Sequence, residues 1–305
     1  PPVRRRRRLW PILSGLALVC LLAAAFIGCQ GFGQLTVGSR IVRMRESPQW
    51  QAGHFQNPQP LHNDWLGALS GSFHRSRFAE PKGPIAVQEN AAAQLQKPPE
   101  SGLRVTWIGH STTLVEIDGL RILTDPVFGD RVGPVFFAGP HRFSPLPLTL
   151  SQLPHIDAVV VSHDHYDHLD HRTLIAMADW DTTFIVPLGV GAHLGLWGIP
   201  DTRIVELDWW QSTRLGALQV VATPARHASG RMLIDDDRKL WAGYAFIGPQ
   251  HRVYFSGDTG LFPAMRDIGA RLGPFDLSMI EVGQYGAAWP DWHIGPEAAV
   301  LAHQL

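Results

Sequence analysis

Residues 163–168 read His-Asp-His-Tyr-Asp-His and directly follow the apolar run at 157–162. Imidazole and carboxylate are ligands that zinc and similar divalent ions prefer. Because a strand presents alternate residues on one face, His163, His165 and Asp167 can converge where the strand becomes a loop, and His168 follows at the turn. One four-coordinate ion held only by neighbours would be strained, so the spacing favours two ions with further, distant ligands over a solvated His-rich loop.

Distant ligands are expected just after other apolar strands, beside Gly or Pro. Three such strands lead to a lone candidate side chain, and these are His227, Asp258 and His293. Asp258 lies in a Ser-Gly-Asp-Thr-Gly segment, whose glycines allow the backbone to bend sharply around one carboxylate. His293 comes shortly before Pro296, which is typical of the first position of a helix.

The order His-x-His-x-Asp-His, a lone His, Ser-Gly-Asp-Thr-Gly and a late His resembles the metallo-β-lactamase superfamily. Within it, the chain resembles the branch of N-acyl-phosphatidylethanolamine-hydrolysing phospholipase D enzymes and bacterial RomA-type proteins. The segments that carry this narrower match are 107–116, 123–128, 139–143, 153–157 and 293–297. The resemblance extends from roughly residue 100 to the end of the chain.

The resemblance implies a mixed α/β fold, the four-layer αβ/βα sandwich, and a site for two divalent ions, expected to be zinc. It assigns one ion to His163, His165 and His227, the other to Asp167, His168 and His293, and Asp258 as the bridge between them. Asp167 and Asp258 are the carboxylates assigned to catalysis. Asp125 is expected to orient ligands from a second layer. His110 is placed near the mouth of the site, with a structural role at the strand end as an equal alternative.

The implied activity is hydrolysis by a hydroxide held between the two ions, because metal binding lowers the pKa of water toward ~7. The narrower resemblance implies attack on the phosphodiester bond of N-acyl-phosphatidylethanolamine-type phospholipids. The same chemistry on a carbonyl, as in lactonases, thioesterases or β-lactam hydrolysis, is one alternative. A non-catalytic binding scaffold of the cell envelope is another. The tryptophans Trp209, Trp210, Trp289 and Trp292 are candidates for an apolar groove or a lipid interface, with ordinary core or surface positions as the alternative.

The N-terminal sequence predicts a signal sequence or membrane anchor. Five arginines at 4–8 precede Leu9–Gly28, which has no charged side chain, and this pattern is typical of a segment whose basic flank stays in the cytoplasm. Cys29 ends an imperfect lipoprotein cleavage box, so lipidation there is a second interpretation. Both place the catalytic part in the bacterial cell envelope, membrane-anchored on the extracytoplasmic, periplasmic side. A phospholipid or small ester is the expected substrate.

Composition indicates one catalytic domain with an N-terminal appendage. A chain of 305 residues with 45% hydrophobic residues can bury a large core. We divide it into an anchor at 1–29, a tether and wrapping extension at 30–100, and a hydrolase domain at 101–305. That domain is expected to be incomplete at its C-terminus, because the chain stops inside a predicted helix. The net charge of −1 and the lack of a basic stripe argue against nucleic acid as a partner. Nothing in the sequence indicates an oligomeric state.

Apolar periodicity predicts more strands than helices. Strands are predicted at 103–108, 113–117, 120–124, 157–161, 183–186, 203–207, 219–222, 241–247, 252–255 and 277–282. Helices are predicted at 169–178, 190–197, 263–272 and from 297 onward. Because the order is mixed rather than strictly alternating, we expect two sheets packed face to face with helices on their outer sides.

Overall fold

The computed structural model describes residues 13–15, 30–64, 67, 79–83, 85–88, 90–232 and 234–305. Apart from residues 13–15, the predicted anchor at 1–29 lies outside the described residues, and so does the candidate lipidation site Cys29. Within the described ranges, no helix combines the length and the apolar character needed to cross a bilayer.

Two short strands come first, β1 (Trp50–Gln51) and β2 (His54–Phe55), which pair with each other. The first large sheet has six strands in chain order, listed here: β3 (Leu103–Gly109), β4 (Thr112–Ile117), β5 (Leu120–Thr124), β6 (Ala158–Val160), β7 (Thr183–Pro187) and β8 (Ile204–Leu207). Strands β3 to β5 are antiparallel, whereas β5 to β8 run parallel. The carboxyl ends of β5 and β6 therefore meet at one edge, where loops usually carry function.

The second large sheet has five strands in the order β13-β12-β11-β10-β9. Its members are β9 (Ser212–Leu215), β10 (Leu218–Thr223), β11 (Gly243–Ile247), β12 (Arg252–Phe255) and β13 (Leu277–Met279). Only β12 and β13 pair in parallel; the other neighbours are antiparallel.

The helices flank the sheets and are short. They are α1 (Ser39–Glu46), α2 (Ala91–Gln94), α3 (His171–Ala176), α4 (Gly191–Leu196), α5 (Ala264–Leu272) and α6 (Pro296–Gln304). Asp170 caps α3, because its carboxylate accepts hydrogen bonds from the backbone N–H and the hydroxyl of Thr173. Pro296 opens α6 at the position where a missing N–H costs nothing.

The buried apolar side chains of the described residues form three clusters. Between the sheets, side chains such as Val115 and Ile122 of the first sheet share one cluster with Val220 and Phe246 of the second. A second cluster lies between the outer face of the first sheet and the segments around α3 and α4. A third joins the segment around α5 to α6. Strands buried on both faces explain why the parallel strands read as nearly continuous apolar runs.

The segment from residue 30 to 57 packs on the sandwich. Phe55 is fully buried in the inter-sheet cluster, and Asn57 donates a hydrogen bond from Nδ2 to the carbonyl of His227 at 2.7 Å. Farther upstream, the guanidinium of Arg40 lies 3.7 Å from the carboxylate of Glu206. The segment 30–57 is thus tied to the domain that carries the predicted ligands.

The predicted strands and helices are present, with shifted ends. The last predicted strand was expected to reach Val282 but ends at Met279, and the helix expected from Leu169 begins at His171. The strand β9 was missed because Ser212–Leu215 alternates without strong hydrophobicity. The mixed α/β architecture with two packed sheets is confirmed.

Candidate metal centre

The predicted ligands follow the ends of four different strands at one edge of the sandwich. The motif at 163–168 comes after β6, His227 after β10, Asp258 after β12, and His293 after the loop that follows β13. Gly257 makes this possible: its φ is +58°, and a Cβ added to it would lie 2.6 Å from the Cβ of Ser162. A side chain there would push the Asp258 loop away from the motif.

Three imidazoles form the first group of candidate ligands. The nitrogens of His163, His165 and His227 all lie within 4.8 Å of one another. Nε2 of His163 is 2.9 Å from Nδ1 of His165, which in turn is 3.3 Å from Nε2 of His227. This is the set that the sequence assigned to one ion, and the fold brings it together.

A second group gathers beside the first. Asp167 and His168 lie with His110, whose Nε2 is 3.2 Å from both the Asp167 carboxylate and the His168 ring nitrogen. The family resemblance grouped Asp167 and His168 with His293 instead. His293 lies with His227 and Asp258 in another set of close ligand atoms, so it faces the space between the two groups.

Asp258 stands at the centre of the arrangement. Its Oδ2 lies 3.1 Å from Nε2 of His168, 3.8 Å from Nδ1 of His293 and 3.9 Å from Nε2 of His227. One carboxylate therefore reaches residues that were assigned to both ions. We call the seven residues the histidine–aspartate cluster: His163, His165, Asp167, His168, His227, Asp258 and His293.

Hydrogen bonds behind the cluster fix the orientation of its rings. Nδ1 of His168 is 2.7 Å from the carboxylate of Asp125, which also accepts bonds from the backbone N–H and hydroxyl of Ser162. Nδ1 of His163 contacts the Ser162 hydroxyl at 2.9 Å, and Nδ1 of His227 faces the carbonyl of Trp292 at 3.1 Å. Each of these rings thus turns Nε2 toward the shared space. Outer hydrogen-bond partners commonly orient metal-binding histidines in this way.

The backbone is strained at two of these positions. Asp125 has a φ of 36° and His110 a φ of 50°, values that non-glycine residues seldom adopt. Such conformations persist where the surrounding structure enforces them, and they are common at functional sites. Asp125 is fully buried behind the cluster, whereas the His110 side chain is 43% exposed at its edge.

Burial and local charge set the protonation of the cluster. Burial lowers the pKa of His163 and of His227 well below the usual range, so both imidazoles are neutral and can donate lone pairs. Burial alone would lower the pKa of His168 too, but the carboxylates of Asp258 and Asp167 raise it well above the usual value. Without an ion, the proton on His168 is the positive charge that these carboxylates attract.

The donor set fits divalent cations. Nitrogen ligands about 2.0–2.1 Å from a tetrahedral zinc are separated from each other by roughly 3.3 Å, close to the 2.9 and 3.3 Å measured between the imidazoles of the first group. Each neutral imidazole can turn a lone pair toward a cation placed between the three rings. The chain therefore supplies the nitrogens, the carboxylates and the outer hydrogen bonds that a metal site needs.

Sequence reasoning missed Glu281. Its Oε2 lies 3.3 Å from Nδ1 of His293, and its Oε1 accepts hydrogen bonds from the N–H groups of Thr259 and Ile294. It thus ties the Asp258 loop to the His293 loop. The rule that identified His227, a residue just past an apolar strand and close to Gly or Pro, did not select Glu281 because the last strand was predicted to run on to Val282.

A second group of buried charges lies directly behind the motif. We call it the buried ion network, and it consists of Asp164, His193, Arg231, Asp235 and Lys239. The Asp164 carboxylate accepts a hydrogen bond from the N–H of Gly230 at 2.7 Å and lies 3.8 Å from the Lys239 ammonium. Arg231 donates to the carbonyl of Asp164 at 2.8 Å. The network holds the backbone between His163 and His165 against the loop that follows His227.

A cavity of about 650 Å³ opens beside the cluster. Phe32, Met232, Ile234 and Trp292 contribute apolar walls. The polar side is lined by His165, Ser229, Arg231, Asp236 and Asp237. Trp292 was a candidate for such a groove. Of the other tryptophans, Trp209 is buried in the inter-sheet core.

Comparison with known proteins places these observations in a family. The sequence model of a protein family, described as the β-lactamase superfamily domain, matches residues 120–305. An uncharacterised protein of Mycobacterium tuberculosis is 45% identical over 308 residues, which cover 99% of this chain and 82% of that protein.

Two further matches carry more informative descriptions. The N-acyl-phosphatidylethanolamine-hydrolysing phospholipase D 1 of Caenorhabditis elegans is 41% identical over 218 residues, which cover 68% of this chain and 61% of that protein. The structure of Igni18, a metallo hydrolase from Ignicoccus hospitalis, superposes with a TM-score of 0.51 at 24% identity, covering 66% of this chain and 76% of that one. The similarity to Igni18 shows that the two chains share a fold.

Proposed function

The chain is a metal-dependent hydrolase that belongs to the metallo-β-lactamase superfamily, and from this premise we propose that it cleaves the phosphodiester bond of N-acyl-phosphatidylethanolamine-type phospholipids. The observation that carries the proposal is the apolar cavity that opens at His165. The 41% identity to a phospholipase D that hydrolyses such lipids supports the same substrate class.

We assign two ions, zinc by preference, to the histidine–aspartate cluster. His163, His165 and His227 would hold one; Asp167, His168 and His293 would hold the other, with Asp258 between them. When bound, such a pair supplies water activation at neutral pH and polarisation of a phosphoryl oxygen. The donor distances support the first trio, together with the neutral imidazoles of His163 and His227. For the second ion, the close approach of Asp258 to both His168 and His293 supports the assignment.

The residues of the chain provide orientation and shielding for the reaction. The carboxylate of Asp125 keeps the His168 ring in place, and Glu281 does the same for His293. Trp292 fixes the tautomer of His227 through its carbonyl and lines the cavity. Burial of these groups in a water-poor surrounding strengthens every electrostatic interaction at the reacting centre.

The cavity supports a lipid substrate over a small polar ester. Side chains of Phe32, Met232, Ile234 and Trp292 surround a space large enough for part of an acyl chain. A phosphodiester at the cluster would place its attached apolar group next to this wall. A small lactone or β-lactam would use the same cluster without filling the cavity.

The test is a lipid hydrolysis assay on the purified, zinc-loaded full chain. We expect vesicles that contain N-acyl-phosphatidylethanolamine to yield phosphatidate and N-acyl-ethanolamine, detected by mass spectrometry. Bis(4-nitrophenyl) phosphate, a lactone and a cephalosporin serve as parallel substrates. Turnover of the lactone or the cephalosporin, with neither diester cleaved, would contradict the proposal and indicate a carbonyl hydrolase.

A matched pair of variants separates the site from general damage. Asp258→Asn removes the central carboxylate, whereas Asp267→Asn makes the same change at an exposed position on α5. We expect lipid turnover to disappear in the first and to persist in the second. Equal activity in both would show that the cluster is not the catalytic centre.

A further inference from the structure

An exposed aromatic loop lies between the cluster and the segment that begins at residue 30. Residues 129–143, which we call the aromatic loop, leave the sandwich a few residues after Asp125. Its tip carries Phe136 and Phe137, whose exposed fractions are 73% and 69%. Two adjacent exposed phenylalanines are unusual on a water-soluble surface and commonly mark an interaction site.

The loop is held in a defined shape and is not a loose excursion. Its two arms pair through the bridge between Arg131 and His141, and the N–H of Val132 donates to the carbonyl of Pro140 at 3.2 Å. At the tip, the rings of Phe136 and Phe137 meet edge to face with centroids 5.2 Å apart. The fold thus presents this aromatic pair to the outside instead of burying it.

The base of the loop is fixed next to the mouth of the site. Arg142 donates hydrogen bonds from Nη2 to the carbonyls of Val127 and Gly129. A Cβ added to Gly109 would lie 2.8 Å from Nη1 of Arg142, so this guanidinium touches the turn that carries His110. The direction of the tip is therefore coupled to the edge of the cluster.

The tip also contacts the chain just after the predicted anchor. Gly31 packs so closely on the carbonyl of Pro134 that no Cβ would fit between them. Arg231 of the buried ion network donates to the carbonyl of Gly31 at 2.7 Å, which ties this contact to the cluster. Gly28 ends the uncharged segment only three residues before Gly31, and three residues span at most about 11 Å.

We propose that the aromatic loop inserts Phe136 and Phe137 into a lipid bilayer, beside the point where the N-terminal anchor leaves it. If Leu9–Gly28 lies in a bilayer, the short connection keeps Pro134 within interfacial depth, so lipid is the surface that the tip meets first. Arg131 and His141 flank the tip and suit phospholipid headgroups. Insertion of the loop into lipid goes beyond the proposed function. The catalytic benefit of insertion, which is to turn the His110 side of the site toward its lipid substrate, rests on the proposed function.

Photocrosslinking tests the insertion without relying on activity. The full chain, with p-benzoyl-phenylalanine in place of Phe137, is reconstituted into vesicles of phosphatidylethanolamine and phosphatidylglycerol and irradiated. A matched chain carries the same group in place of Val300, which is 59% exposed on α6. We expect phospholipid adducts by mass spectrometry at position 137 at several times the yield at position 300. Equal yields, or crosslinks from position 137 to a second copy of the chain, would overturn the proposal.

A kinetic comparison tests the consequence for catalysis. Phe136→Ser combined with Phe137→Ser should lower turnover of vesicle-borne lipid at least about fivefold, because partitioning of the tip is lost. Turnover of soluble bis(4-nitrophenyl) phosphate should stay unchanged. An equal loss on both substrates would contradict the loop's role in catalysis. If the unmodified chain hydrolyses neither, the proposed function fails, while the crosslinking result still decides the insertion.

Discussion

Two buried polar regions lie back to back at one edge of the sandwich, and they handle charge in opposite ways. In the buried ion network, the Lys239 ammonium lies 3.8 Å from the carboxylates of both Asp164 and Asp235. The Arg231 guanidinium donates to the carbonyls of Asp164 and Leu169 beside them. Burial and then Lys239 lower the pKa of His193 to about 3, so this imidazole adds no charge. Here the chain supplies its own cations.

The histidine–aspartate cluster contains no lysine or arginine. Against the effect of burial, its carboxylates raise the pKa of His168, and Glu281 and Asp258 raise that of His293, so protonated imidazoles are its own source of positive charge. Its imidazole nitrogens face one another across 2.9 to 3.3 Å, and the carboxylate of Asp258 faces the same space. Residues of similar type thus form internal ion pairs in the buried ion network and a set of facing metal-ligand atoms in the cluster. The comparison teaches that the pairing of buried groups, rather than their identity, separates a structural site from a metal site.

The largest expected effect concerns the cluster. Asp258→Asn should lose bound metal and reduce turnover by roughly 10²–10³-fold or more, the scale seen when a charge-stabilising group is removed. Metal content by mass spectrometry and the initial rate on bis(4-nitrophenyl) phosphate are the measurements. Two ions retained per chain, with Asp267→Asn as the control, would show that Asp258 does not link them.

The network should respond in stability instead of metal content. Lys239→Met leaves the buried carboxylates of Asp164 and Asp235 without their ammonium partner, and removal of one member of a buried pair costs about 3–5 kcal/mol. We expect a loss of about that size in the free energy of unfolding of metal-free protein, measured with urea. Adding Asp235→Asn should recover part of it. A change below about 1 kcal/mol in Lys239→Met would contradict the structural role.

Asp125 lies directly behind the cluster and tests whether outer contacts tune its metal affinity. Asp125→Asn keeps the shape but weakens the bond to Nδ1 of His168, so metal affinity should fall about 10–100-fold. Competition with a fluorescent zinc chelator measures this change. Unaltered affinity would indicate that Asp125 serves only the backbone of Ser162.

The smallest expected effect is a pH dependence near the network. Burial raises the pKa of Asp237 from 3.8 to about 6, so the folded chain holds a proton that the unfolded chain has released. The free energy of unfolding therefore falls as the pH rises from about 4 to about 6. Above about pH 6 this contribution of Asp237 changes no further. Asp237→Asn should increase the free energy of unfolding at pH 7 by about 1–3 kcal/mol and have no effect below pH 4. A benefit that is the same at both pH values would contradict this cause.

Much of the fold and of the candidate site follows from local sequence. Strand periodicity placed the strand before the motif, and the rule of a polar residue after an apolar strand found His227, Asp258 and His293, which the fold brings beside the motif. The spacing did not give the grouping of His110 with Asp167 and His168. That contact depends on a left-handed backbone turn at the end of β3, which no periodic pattern encodes.

Other features depend on long-range packing and were out of reach of the sequence. Glu281 looks like the last polar residue of a strand until the His293 loop folds onto it. The buried ion network joins residues as distant as Asp164 and Lys239. The docking of Gly31 on Pro134 is likewise a contact between segments about a hundred residues apart.

The most direct test of the account is anomalous X-ray diffraction at the zinc edge from crystals of the zinc-loaded chain. We predict two peaks, one among His163, His165 and His227 and one beside Asp167 and His168, with Asp258 between them. No peak is expected in the buried ion network. The absence of zinc from the cluster, or zinc bound at Asp164 instead, would contradict the claim that the fold gathers these side chains into a site for two metal ions.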